Sequence, residues 1–136
     1  MFVLVDTSVW SLALRKKERN HEEEKIVNYF SEIIRELKLV IIGPIRQEIL
    51  SGISDRNKYN ELRDKLSVFK DYEIKTKEYE LAAQYYNDCR KIGIQGSHID
   101  YLICAVAVNN KMSILTLDND FINYKKVIPI EIEKIG

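Results

Sequence analysis

The chain has 136 residues, of which 46% are apolar, and its 21 Lys plus Arg balance 21 Asp plus Glu. That is enough for one domain, residues 1–136, with a real hydrophobic core. A net charge of zero excludes a general nucleic-acid coat protein, whose affinity comes from phosphate neutralisation, but leaves room for a local basic path.

Phe2 to Val5 predicts a first strand. It has no basic leader and ends at Asp6, so neither a signal peptide nor a membrane span is expected. Thr7 or Ser8 is expected to cap a helix through Trp10, Leu12 and Leu14. The charged stretch Arg15 to Lys25 opens a second helix, whose inward face is Ile26, Val27, Phe30, Ile33, Ile34 and Leu37. Leu39 to Ile42 is a second strand, and Pro44 suits the first residue of a helix carrying Ile45, Ile49 and Leu50, with Gly52 at its end.

Asn57 to Phe69 reads as an amphipathic helix with Tyr59, Leu62, Leu66 and Phe69 on one side, and Tyr72 to Ile74 as a short strand. A long helix over Thr76 to Lys91 turns Leu81, Ala82, Tyr85, Cys89 and Ile92 inward. After Gly93 and Gly96, Ser97 to Asn109 is apolar nearly all round, which predicts a buried helix. Ile114 to Leu117 is a strand, Asp118-Asn119-Asp120 a loop, and Val127 to Ile132 a final edge strand interrupted by Pro129. Alternating strands and helices predict an α/β fold: a three-layer α/β/α sandwich with a central, mostly parallel sheet. Cys89 and Cys104 lack metal-ligand or disulfide-framework spacing and read as core residues, which makes a reducing, cytoplasmic location the expectation.

Four carboxylates stand against this apolar frame. Asp6 and Asp118 each end a strand run, Glu48 follows the second strand across Gly43-Pro44, and Asp100 is the sole charge between Ile99 and Val108. Ligands of open parallel sheets bind outside the carboxyl ends of the strands, where these acids emerge. Gathered there they repel one another, and a hard cation such as Mg²⁺ or Mn²⁺ resolves the conflict through oxygen ligands. Such a cation suits phosphoryl chemistry. Ser8 and Thr116 are placed to orient a carboxylate. Taken singly, Asp6 reads equally as a helix cap, Glu48 as a surface residue, and Asp118 and Asp120 as turn residues.

These residues resemble the PIN-domain ribonucleases, and within them the VapC-type toxins of prokaryotic toxin–antitoxin operons. The resemblance spans essentially the whole chain and is carried by four segments. They are Val3-Leu4-Val5-Asp6-Thr7-Ser8-Val9-Trp10, the Pro44-to-Gly52 segment around Glu48, Asp100-Tyr101-Leu102-Ile103-Cys104-Ala105, and Leu115-Thr116-Leu117-Asp118-Asn119-Asp120-Phe121. It implies a Mg²⁺- or Mn²⁺-dependent endoribonuclease acting on structured RNA, with tRNA or rRNA as usual targets. Asp6, Glu48, Asp100 and Asp118 take the acidic positions, Ser8 or Thr116 is a polar accessory, and Asp120 is secondary. It also implies a homodimer and a cognate antitoxin that places a basic side chain in the acidic site. The expected reaction is attack by water on an RNA phosphodiester, leaving a 5′-phosphate and a 3′-hydroxyl.

Arg15, Lys16, Lys17 and Arg19, with Arg46 near Glu48, are candidates for positioning RNA, though each reads equally well as part of a solvated helix face. Trp10, Tyr85 and Tyr86 read as core or dimer packing before base stacking. Haloacid-dehalogenase-like phosphatases want a second Asp where Ser8 stands, and receiver domains want adjacent acids after the first strand, so both fit poorly. The alternative function is a catalytically silent PIN-like module that binds RNA or protein.

Overall fold

In the computed structural model, which describes residues 1–135, four strands form one parallel sheet in the order β3-β2-β1-β4. The strands are β1 (Val3–Val5), β2 (Leu39–Ile42), β3 (Asp71–Tyr72) and β4 (Ser113–Leu115). Seven helices are described: α1 (Thr7–Arg15), α2 (His21–Arg35), α3 (Gly43–Leu50), α4 (Arg56–Leu66), α5 (Thr76–Lys91), α6 (His98–Asn109) and α7 (Asp120–Tyr124). Helix α1 packs on α2 and α3, α3 packs on α4, and α5 packs on α6. This is the expected α/β/α sandwich.

The register places β1 at the centre, with Leu4 opposite Val40 on one side and Ile114 on the other. All three residues of β1 are buried, as a parallel strand covered on both faces requires. Trp10 locks α1 to this core: its ring meets Phe30 and Phe69 edge-on, and its indole N–H donates to the Val5 carbonyl. Its role is therefore in the core. Helix α6 buries every residue from Tyr101 to Ala107.

Several local expectations change. Thr7 and Ser8 do not cap α1; Asp6 holds the N-cap position, and both hydroxyls turn to carboxylates instead. Leu37 and Ile92 are exposed, because each lies past the end of its helix, Leu37 with φ of 59°. Helix α4 stops at Leu66 rather than Phe69, and β3 covers only Asp71–Tyr72. The final edge strand reduces to one parallel bridge, Ile132 to Ile114, because Pro129 has no N–H to extend a ladder.

Arg46 is a structural clamp. Its guanidinium donates to the Asp71 carboxylate and to the Leu66 and Phe69 carbonyls, tying α3 to the end of α4 and the start of β3. Those bonds occupy most of the donors that a phosphate contact by Arg46 would use. Arg46→Met should cost about 2 kcal/mol, since two carbonyls lose their donor and a charged bond is broken. Urea denaturation checks this.

Candidate metal centre and active site

The carboxyl ends of β1 and β4 lie side by side, so the residues that leave them share one edge of the sheet. Asp6 follows β1 directly, and its backbone N–H still donates to the Leu115 carbonyl. Its side chain is nearly buried, and one oxygen, Oδ2, accepts hydrogen bonds from Ser8 and Thr116, both at 2.8 Å. The same two hydroxyls accept backbone N–H groups, Ser8 from Leu117 and Thr116 from Asp118. Ser8 and Thr116 thus fix Asp6 and the loop after β4 as one unit.

Asp118 then accepts the Asp120 N–H at 2.9 Å, a tight Asx turn that brings the two carboxylates to one side. Asp100 arrives from the first turn of α6, where its N–H donates to the capping Ser97 hydroxyl. The outcome is convergence: one oxygen each of Asp100, Asp118 and Asp120 lies within 4.8 Å of the others. Asp120, which opens α7, brings an exposed carboxylate to the same place. Glu48 is exposed and sits to the side, held by the Thr7 hydroxyl at 2.7 Å, one residue from Asp6.

Burial pushes the Asp100 carboxyl up to about 6, and the charges of Asp6 and Asp118 add to this, against the lowering effect of bonds from Tyr124 and Ser97. The Tyr124 hydroxyl donates to Asp100 Oδ2 at 2.6 Å, and burial keeps that phenol protonated as a donor. All the converging side chains present oxygen and none presents nitrogen or sulfur, the donor set that hard divalent cations prefer. The residues present fit Mg²⁺ or Mn²⁺.

Three contributors were not read as site residues in the sequence. Thr7 positions Glu48, Ser97 caps the helix that presents Asp100, and Tyr124 anchors that carboxylate. Ser97 leaves a readable trace, a Ser three residues before an acid at a helix start. Tyr124 leaves none, because its partner is 24 residues away. Gly96 matters for the same reason: a Cβ there would lie 2.6 Å from the Tyr124 hydroxyl and 2.8 Å from the Tyr101 ring. Gly96→Ala should displace Tyr124 from Asp100 and weaken Mn²⁺ binding at this edge about tenfold or more, measured by isothermal titration.

The sequence matches the PIN domain family over residues 3–127. The chain belongs to the PIN domain family. The fold of this PIN domain recurs in a solved structure of FitAcB from Neisseria gonorrhoeae, with a TM-score of 0.78 at 19% identity, covering 98% of this chain and 97% of that one. VapBC2 from Rickettsia felis, solved with a DNA fragment from its promoter, gives 0.77 at 16% identity and 98% coverage of both chains. DNA-bound VapBC from Salmonella typhimurium gives 0.73 at 13% identity, over 100% of this chain and 99% of that one. No sequence among curated proteins matches. In the PIN domain described here, no helix among the described residues is long and apolar enough to cross a membrane.

The basic candidates separate by their partners. Lys16 pairs with Glu23 and Arg19 with Glu24, while Arg15 donates to the Ile49 carbonyl. Lys17 makes no ion pair among the described residues and lines a cleft of about 530 Å³ with Leu14, Ile53, Lys58 and Lys65.

Proposed function

We propose that the chain is a divalent-cation-dependent endoribonuclease, acting on structured RNA such as tRNA or rRNA as the toxin of a VapBC-type toxin–antitoxin pair. The observation that carries this is the convergence of Asp100, Asp118 and Asp120 beside the oriented Asp6. A carboxylate group of this density is unfavourable without a cation to neutralise it.

Asp6, Asp100 and Asp118 are the residues that would hold Mg²⁺ or Mn²⁺, with Asp120 joining them and Glu48 positioning the attacking water or completing the set. When bound, such a cation stabilises charge on the phosphate oxygens and lowers the pKa of water. Around it the chain's own groups keep the geometry: Ser8 and Thr116 hold Asp6, Thr7 holds Glu48, and Tyr124 holds Asp100. Membership of the PIN domain family and the likeness to FitAcB and VapBC structures support the toxin reading. A cognate antitoxin, a homodimer and a cytoplasmic location belong to the same proposal.

The test is incubation of a total tRNA and rRNA mixture with purified protein in Mg²⁺ or Mn²⁺ and in EDTA. Discrete fragments bearing 5′-phosphates, formed only with the cation, are expected. RNA left intact by wild type in both cations would instead favour a binding-only module.

A further inference from the structure

Next to the acidic centre, on the other side of Gly96, lies a separate recess of about 250 Å³ lined by Tyr86, Arg90, Ile94, Gln95, Gly96 and Tyr101. Its size is below the usual range for drug-sized ligands, about 300–1,000 Å³, and suits a single small ring system. Its wall is shared with the catalytic edge, because Gly96 abuts the Tyr124 hydroxyl that donates to Asp100. The recess therefore backs onto the residues that hold Asp100.

The lining has a mixed chemistry. Tyr86 stacks on His98, with ring centroids 5.0 Å apart and planes inclined by 10°. The Arg90 guanidinium lies 5.6 Å from the Tyr86 ring centre and donates to its hydroxyl, which leaves most of its N–H groups available. Gln95 is exposed, and its amide has no hydrogen-bond partner among the described residues, so one donor group and one acceptor face the opening. Tyr101 is buried in the floor, where its hydroxyl faces the Cys89 thiol. An apolar wall from Ile94 completes the recess.

We infer that this recess takes one nucleobase of the RNA, next to the cleaved bond, and so sets the sequence preference of the cut. The inference rests on the ribonuclease reading above. Flat aromatic surface and an arginine favour a stacked base of any kind, while the Gln95 amide and Arg90 read its edge. None of these groups belongs to the acidic centre, so selection and chemistry are separable.

The test uses the full chain, a randomised RNA pool and sequencing of the cut ends, with wild type, Gln95→Ala and Arg90→Met. Both variants change exposed side chains, and circular dichroism confirms that each folds. Wild type is expected to favour one base about tenfold or more at one position flanking the cut. In both variants the fragments that remain should show no preference at that position. In parallel, saturation-transfer NMR with the four 5′-mononucleotides in EDTA should show that base's nucleotide binding wild type and failing to bind Gln95→Ala.

The same preference in all three proteins overturns the recess as a base reader and leaves the nuclease intact. If wild type cuts no RNA yet binds one mononucleotide selectively through Gln95, the nuclease falls and with it the recess's role in the cut, and only base binding by the recess stands. Equal or absent binding of all four, with no cleavage, overturns both.

Discussion

Asp100→Asn is expected to lower RNA cleavage at least about 100-fold while making the cation-free protein more stable. The two effects have one cause. In an unfolded chain an aspartate releases its proton near 3.8, whereas burial holds the Asp100 proton to about 6 in the fold. Between those values the unfolded state is the more ionised, so stability falls as pH rises through the window and is lowest above 6. Asparagine keeps the shape and still accepts from Tyr124, but never ionises. Full linkage corresponds to about 3 kcal/mol; with Asp100 only partly buried, solvent screening reduces the expected gain to about 1 kcal/mol. Urea denaturation in EDTA should show that gain at pH 8 and none at pH 3. A variant less stable than wild type at pH 8 would mean that Asp100 is a structural group.

Glu78→Ala is expected to be the most destabilising single change outside the apolar core, at about 3–5 kcal/mol. Glu78 is fully buried although it stands in the charged first turn of α5. Burial pushes its carboxyl up, but the Lys75 N–H, the Asn109 and Asn110 amides and the Tyr72 hydroxyl together bring it below the usual value. That network joins β3, α5 and the end of α6. Removing the acceptor leaves the half-buried Asn109 amide and the Lys75 N–H without their partner and takes one bond each from Tyr72 and Asn110, and the melting temperature should drop by about 10 °C or more. The pH dependence has the opposite sign to that of Asp100: the stabilisation is present above the ordinary value of 4.5 and is lost as pH falls through the lowered one. Thermal melts at pH 7 and pH 3.5 check both statements, because the gap between wild type and variant should narrow in acid. Cleavage at a temperature where the variant is folded should be unchanged, since Glu78 lies apart from the acidic edge.

What could be read from the sequence follows the range of the interactions. Strand β2 and helix α5 keep their expected bounds because periodicity within one segment defines them. Asp6, Asp100 and Asp118 were legible as acids at strand ends or inside an apolar run, positions where a carboxylate needs a reason. Asp120 was legible only through the family resemblance, as a secondary residue, and Tyr124 not at all, because both depend on a turn that folds back against α6. Glu78 was hidden for a different reason: among Lys75, Lys77 and Glu80 it looks like one more solvated charge, and only the packing of α6 against α5 buries it. Arg46 looked free because its carbonyl partners lie 20 and 23 residues away.

The most direct measurement is isothermal titration of Mn²⁺ into wild type and Asp100→Asn at pH 8 and pH 5. Wild type is expected to bind saturably at pH 8 and more weakly at pH 5, where Asp100 is largely protonated, and the variant is expected to lose the binding. Absence of saturable binding to wild type, or equal binding to both proteins, would contradict the assignment of these carboxylates as a cation site.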